Sequence, residues 1–255
     1  MLLAVDVGNS HTVLGLFEKD DLRAHWRIST RRGATTDEIG VLVRALFLGA
    51  GIDPTEVGAV AVASVVPDLN RALATAGERY FGREPLFVGP GVRTGMPILY
   101  ENPHEVGADR IVNAVAALQR FGAPVIVLDF GTATTLDVVS GRGEYLGGVI
   151  APGIGVSAEA LFSRAARLSR VDIRRPSRVI GRTTEESVQS GLFHGYAALV
   201  EGLVARVRED LGSPASVIAT GGFAPVFEGA LPSLQAVDPH LTLHGLRIVW
   251  ERNCR

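Results

Sequence analysis

One short pattern occurs twice in this chain: an apolar strand that runs into an aspartate, a glycine and a cluster of small hydroxyl or amide residues. The first copy is Leu2-Leu3-Ala4-Val5-Asp6-Val7-Gly8-Asn9-Ser10-His11-Thr12, and the second is Val125-Ile126-Val127-Leu128-Asp129-Phe130-Gly131-Thr132-Ala133-Thr134-Thr135. A third apolar run, Val217-Ile218-Ala219-Thr220, leads into Gly221-Gly222. Asp6 and Asp129 are 123 positions apart in a chain of 255. That spacing predicts an α/β protein built from two halves, 1–117 and 118–255, related by a duplication of fold. Two carboxylates on hairpin turns, each ringed by backbone amides, suit a metal-bound polyphosphate.

The periodicities support the repeat. In the first half, strands are predicted near 2–7, 12–17 and 23–29, with a helix near 36–50 whose Ile39, Leu42, Val43, Leu46 and Phe47 share a face. Val60 to Val66 reads as a buried strand stopped by Pro67, followed by a helix at 69–81 with Asp68 as its cap. A short strand at 86–88, a Gly/Pro-rich loop at 89–105 and a helix at 106–121 complete that half. The second half restarts at Val125, with strands near 135–139 and 145–150 and helices near 155–168 and 184–210. A strand at 216–220, a helix near 224–231 and a C-terminal helix near 245–252 follow. No low-complexity tether separates the halves, so a packed hinge is expected near 117–124.

Composition narrows the chemistry. No apolar run reaches the ~20 residues that span a bilayer, and strand-like sequence begins at Leu2 with no basic leader. A soluble cytoplasmic protein with no membrane partner is expected. A net charge of −2 and pI near 6.3 argue against general nucleic-acid binding. Cys254 is the single cysteine, which excludes intramolecular disulfides and thiolate metal sites. Lys19 is the single lysine and follows no glycine-rich turn. A Walker-type loop needs a lysine that reaches the phosphates, so any ATP chemistry here relies on backbone amides, hydroxyls, arginine and metal ions.

Each candidate site has a plainer reading beside it. The Asp6 turn offers Asn9, Ser10 and Thr12 as donors and Asp6 to Mg²⁺; alone, it could be an ordinary hairpin whose Asp6 and Asn9 satisfy turn amides. Two such turns at equivalent places favour function. Asp129 ends a buried strand, where a cation is the natural partner of a carboxylate, whereas Asp137 reads as structural. Gly221-Gly222 would let a flat adenine or a phosphate lie against backbone, or would simply make a tight strand-to-helix turn. In Gly107-Ala108-Asp109-Arg110, an acid and a guanidinium open a helix. They could serve as general base and anion clamp, or Asp109 could merely meet the helix dipole. Seven arginines between Arg164 and Arg182 suggest a phosphate surface, but a solvated or subunit-contact face is preferred. The six histidines form no metal set and no Ser-His-Asp arrangement.

Taken together, Asp6-Val7-Gly8-Asn9, Ser64-Val65-Val66-Pro67, Tyr100-Glu101-Asn102-Pro103, Gly107-Ala108-Asp109-Arg110, Asp129 to Thr135 and Ala219-Thr220-Gly221-Gly222 resemble the type III pantothenate kinase family. That family is a branch of the actin/hexokinase/Hsp70-like ATPases. The resemblance implies two duplicated ribonuclease-H-like (actin-like ATPase) domains with a central nucleotide cleft. It also implies ATP-dependent phosphorylation of the primary hydroxyl of pantothenate, the first step toward coenzyme A. By the same resemblance, Asp6, Val7, Gly8, Asn9, Ser10, His11, Thr12 and Val13 would form the first phosphate loop, with no separate role for the His11 ring. Asp109 would be the base, and Tyr100, Gly107, Ala108 and Arg110 would line the pantothenate pocket. Asp129 would bind K⁺ or NH₄⁺, Asp6 would meet Mg²⁺, and Thr132 would touch ATP. Thr184 resembles a further pantothenate contact contributed across a homodimer. The rival readings are a kinase of another small hydroxylated acid or sugar on the same fold, and a non-catalytic regulator that binds nucleotide or nucleic acid.

Overall fold

The computed structural model describes residues 1–165 and 168–254. Two five-stranded sheets form, with strand order β3-β2-β1-β4-β5 in the first and β10-β9-β6-β7-β8 in the second. Read from the other edge, the second order is β8-β7-β6-β9-β10, so the repeat seen in sequence is a repeat of topology. β1 (Leu2–Val7) pairs antiparallel with β2 (His11–Glu18) and parallel with β4 (Ala59–Ser64). β6 (Val125–Phe130) likewise pairs antiparallel with β7 (Ala133–Val139) and parallel with β9 (Ser216–Thr220). β3 (Asp21–Ser29) and β8 (Tyr145–Pro152) extend the antiparallel sides, while β5 (Leu86–Phe87) and β10 (Ala236–Val237) extend the parallel sides.

The chain divides into two compact units. The first holds Met1–Met96, Glu101–Ala116 and Leu241–Arg255, and the second holds Pro97–Tyr100 and Ala117–His240. One face of the first sheet buries Leu3, Val5, Leu14, Val60 and Val62 against Val43 and Phe47 of α1 (Thr36–Gly49) and Leu69 of α2 (Pro67–Phe81). Trp26 stacks on Phe47 with ring centroids 5.2 Å apart. Thr35 begins α1 with a capping box, its side chain accepting from the Glu38 N–H while Glu38 returns to the Thr35 backbone.

α7 (Leu241–Cys254), which the sequence reading placed in the second half, groups with the first compact unit. Its buried Leu241, Leu243, Leu246, Ile248 and Val249 need an apolar partner, and they find it in the first unit. Leu243 packs where a side chain on Gly15 would stand, and Gly245 crosses Val112 so closely that an added Cβ would strike the Val112 carbonyl. The Asn253 side chain donates to the Arg93 carbonyl at 3.0 Å and accepts from its N–H at 2.9 Å. These contacts depend on residues more than a hundred positions away, which no local pattern reveals.

In the second unit, α5 (Thr184–Leu211) lays Phe193, Tyr196, Val200 and Val204 on the face of Ile126, Leu128, Phe130 and Leu136. The rings of Phe130 and Phe193 each stack on Phe227, at 4.9 and 5.5 Å. Some local expectations change. Asp68 lies inside the first turn of α2, where Pro67 begins the helix and Val66 caps it without a side-chain bond. The helix expected at 224–231 is a single turn, α6 (Ala224–Phe227), because Gly229 turns left-handed at φ +67°. β10 was not anticipated. α4 (Ile154–Arg164) is shorter than the predicted 155–168, of which Ala166 and Arg167 lie outside the described residues.

Candidate active site

Asp6 and Asp129 are each the fifth residue of their strand. Asp6 lies opposite Val13 and Ala63, and Asp129 opposite Thr135 and Thr220. Each sits at the carboxyl end of a parallel strand pair, where open α/β sheets hold ligands. A glycine amide closes both turns: Gly8 N–H to the His11 carbonyl, and Gly131 N–H to the Ala133 carbonyl, both at 3.0 Å. Both carboxylates are half-buried, while Asn9, Ser10, His11 and Thr132 are exposed.

The first turn is braced from β3 and the residue after it. Thr30 Oγ1 donates to the Gly8 carbonyl at 2.7 Å and lies 2.9 Å from Thr12 Oγ1. Arg27 donates to His11 Nδ1 at 2.9 Å, and Arg32 to Asn9 Oδ1 at 3.0 Å. Burial and the Arg27 charge hold the His11 imidazolium below its usual range, so the ring is neutral at neutral pH and accepts the arginine N–H. Two guanidinium groups thus edge a turn that contains no lysine.

Asp109 belongs to this same unit. The Val65 N–H donates to the Val7 carbonyl at 3.0 Å, and the Val65 side chain packs 3.5 Å from where a Gly107 Cβ would stand. The start of α3 (Ala108–Phe121) is thereby set against the strand end that carries Asp6. Asp109 Oδ1 folds back over Gly107, 2.5 Å from where an added Cβ would stand, so a side chain there would displace that carboxylate. The same oxygen accepts the Arg110 N–H at 2.8 Å. The modest reading of Asp109, an acid satisfying a helix start, therefore holds as well. Yet burial pushes its carboxyl above the ordinary aspartate range, outweighing the downward pull of the Arg110 N–H and guanidinium. A raised carboxylate is a stronger proton acceptor at neutral pH. Arg110 is 9% exposed, so its charge is fixed in place.

In the second unit the glycine pair meets the Asp129 turn. Gly221 has φ +91°, and a Cβ there would overlap Asp129 Oδ1 and the Phe130 backbone. Gly153 presses equally hard on the Thr132 carbonyl, to which its N–H donates at 3.1 Å. Tyr100 lies across Gly147, with ring carbons 3.0 and 3.1 Å from where a Cβ would stand. Thr184 is exposed at the first position of α5, after the cap Thr183, and lines an open hollow of about 820 Å³ with Leu161, Leu168 and Leu192. Asp137 is structural, fully buried and accepting from Tyr145 Oη at 2.8 Å and Thr135 Oγ1 at 3.1 Å. Arg164, Arg170, Arg174, Arg175, Arg178 and Arg182 are all exposed, consistent with a solvated face; Arg167 lies outside the described residues. Sequence reasoning missed Thr30, Gly153 and Tyr196, of which only Gly153, between Pro152 and a helix, carries a local signal.

Comparison with known proteins decides the family. The sequence profile described as Type III pantothenate kinase matches residues 2–206. The chain belongs to the type III pantothenate kinase family. A type III pantothenate kinase of Anaeromyxobacter sp. (strain Fw109-5) is 58% identical over 253 residues, covering 99% of this chain and 100% of that one. Another, from Myxococcus xanthus (strain DK1622), is 56% identical, with 99% of each chain covered. Among solved structures, the activator of the 2-hydroxyisocaproyl-CoA dehydratase from Clostridium difficile, with bound ADPNP, aligns with a TM-score of 0.52 at 12% identity. That alignment covers 97% of this chain and 92% of the activator. The chain thus has a duplicated α/β fold, two five-stranded sheets of one topology, shared with that activator.

Proposed function

We propose that this chain transfers the terminal phosphoryl group of ATP to the primary hydroxyl of pantothenate, with Asp109 as general base. Family membership makes the protein an ATP-dependent pantothenate kinase acting in coenzyme A biosynthesis. The observation that supports the catalytic assignment is the placement of a desolvated Asp109 carboxylate on the unit that carries the Asp6 turn, joined to it through Val65.

In this reading Asp109 accepts the hydroxyl proton as the oxygen attacks the terminal phosphorus and the bond from that phosphorus to ADP breaks. Arg110 holds the substrate carboxylate beside it, Tyr100, Gly107 and Ala108 line the pocket, and the amides of Asp6 to Val13, with Thr132, orient the phosphates. Phosphoryl transfer asks mainly for in-line positioning and neutralised charge. Mg²⁺ would arrive with ATP and be held by one carboxylate, Asp6, together with phosphate oxygens. Asp129 fits a monovalent cation, K⁺ or NH₄⁺: its half-buried carboxylate lies under the Gly221 backbone, where a side chain would fill the space. Such ions supply the positive charge that a lysine gives elsewhere. Thr184 is assigned to the pantothenate pocket of a partner copy in a homodimer, and the reaction to the cytoplasm. No helix among the described residues is long and apolar enough to cross a membrane.

The test is a coupled ATP-consumption assay with pantothenate, simple sugars and other small hydroxy acids as acceptors, run with and without potassium. Pantothenate is expected to be preferred; higher turnover with a sugar would refute the reading. Light scattering of the purified protein checks the dimer, and a monomer would remove Thr184 from its role.

A further inference from the structure

Tyr196 lies on α5, outside both turns and every motif. Its side chain is 7% exposed and packs against Phe227 in an otherwise apolar layer. The hydroxyl reaches two polar atoms there, Thr134 Oγ1 at 2.8 Å and the Pro152 carbonyl oxygen. A phenol carries one proton, and a carbonyl can only accept. The Tyr196 proton therefore goes to Pro152, and the Thr134 hydroxyl gives its own to the phenol oxygen. This arrangement satisfies all three groups where an unmet partner would be costly.

Those contacts pin the second turn from behind. Thr134 is fully buried and pairs with Phe130, so its side chain shares the core face, while Asp129 and Thr135 alternate to the opposite face. Pro152 ends β8 opposite Ala133. The next residue, Gly153, donates to the Thr132 carbonyl and is in tight backbone contact with it. A short path thus runs from the Tyr196 hydroxyl through Pro152 and Gly153 to Thr132, and a second runs through Thr134.

We propose that Tyr196 is a positioning residue for the second phosphate turn: from beneath the sheet it fixes the place of Thr132 and so tightens the hold on ATP without touching the nucleotide. The proposal rests on the reading of Thr132 as an ATP contact. Its parallel in the first turn is Thr30, which reaches the Gly8 carbonyl from outside that turn.

The test is steady-state kinetics on the full chain with Tyr196→Phe, together with its melting temperature. Tyr196→Phe removes both hydrogen bonds of the phenol; the share of that loss that reaches Thr132 is expected to raise KM for ATP about three- to tenfold, with KM for pantothenate unchanged. A phenol of purely structural importance would lower the melting temperature and the active fraction and leave KM for ATP alone; that result overturns the proposal. Thr134→Val should raise KM for ATP as Tyr196→Phe does, and the double variant should be no worse than the worse single one. Fully additive effects would show that the two hydroxyls do not act together, against the proposal. Should Tyr196→Phe fail to fold, Thr134→Val and Thr134→Ser decide, since only serine keeps the hydroxyl and should restore KM. Thr132→Ala separates the two levels. If it leaves KM for ATP unmoved, the ATP reading falls and the proposal with it; if it raises KM while Tyr196→Phe does not, only the positioning role falls.

Discussion

Asp109→Asn is expected to separate catalysis from stability, with opposite signs. Asparagine keeps an oxygen where Asp109 Oδ1 accepts the Arg110 N–H at 2.8 Å, and it adds no bulk over Gly107. The start of α3 should therefore hold its shape while losing its proton acceptor. Turnover should drop by the ~10²–10⁴-fold typical of a missing general base, with ATP binding nearly intact. Stability follows from the direction of the Asp109 shift, which already sums burial against the help of Arg110. Because the folded-state carboxyl sits above its unfolded value, the native state holds the proton more tightly. Stability from this group is then full below the ordinary aspartate pKa of ~3.9 and is lost as pH rises through the folded value. At neutral pH the charged form is a liability, so the asparagine variant should melt at the same temperature or higher, and this advantage should vanish in acid. The same carboxyl should set the acid limb of kcat/KM for the parent enzyme, displaced upward from the ordinary aspartate range, since a base must be unprotonated to act. Measuring kcat, kcat/KM against pH, and melting temperature at neutral and acid pH tests all of this. Unchanged turnover would remove Asp109 from the reaction, and a lower melting temperature at neutral pH would show that Arg110 pairing outweighs burial.

Asp129→Ala should abolish stimulation by K⁺ or NH₄⁺; an activation curve as steep as the parent's would dismiss the cation assignment. Thr30→Val removes the donor to Gly8 and the partner of Thr12, which should weaken ATP binding by about 1 kcal/mol, roughly five-fold. Calorimetry returning the parent affinity would refute that. Gly221→Ala places a methyl on Asp129 Oδ1 at φ +91°, which should cost at least ~1 kcal/mol of strain and lower both the melting temperature and ATP affinity. A variant indistinguishable from the parent in both would show that the glycine is replaceable.

The two aspartate turns show one topology built twice with different details. Both close with a glycine amide and both end a parallel strand pair at an aspartate, yet their supports differ. The first is edged by Arg27 and Arg32 and braced by Thr30. The second has glycine backbone on two sides, at Gly153 and Gly221, and an aromatic layer beneath. One turn gathers cationic side chains, and the other gathers glycine backbone. Duplication of fold therefore did not impose duplication of the contacts that support each turn.

Sequence alone was enough to locate the Asp6 and Asp129 turns, the strands feeding them, the glycine pair and the absence of a phosphate-binding lysine. These features are local: alternation, helical spacing and turn chemistry are written within about ten residues of each other. Asp109 was visible as a residue, but the upward shift of its carboxyl was not, because desolvation depends on what the fold packs around a carboxylate. The placement of α7 with the first unit, the brace from Thr30 and the Tyr196 contact were likewise decided only in three dimensions. Thr30 and Gly8 are 22 positions apart, and Tyr196 and Thr134 are 62 apart. A hydroxyl in a helix or beyond a strand carries no mark of its partner until packing brings the two together and excludes the water that would otherwise satisfy both.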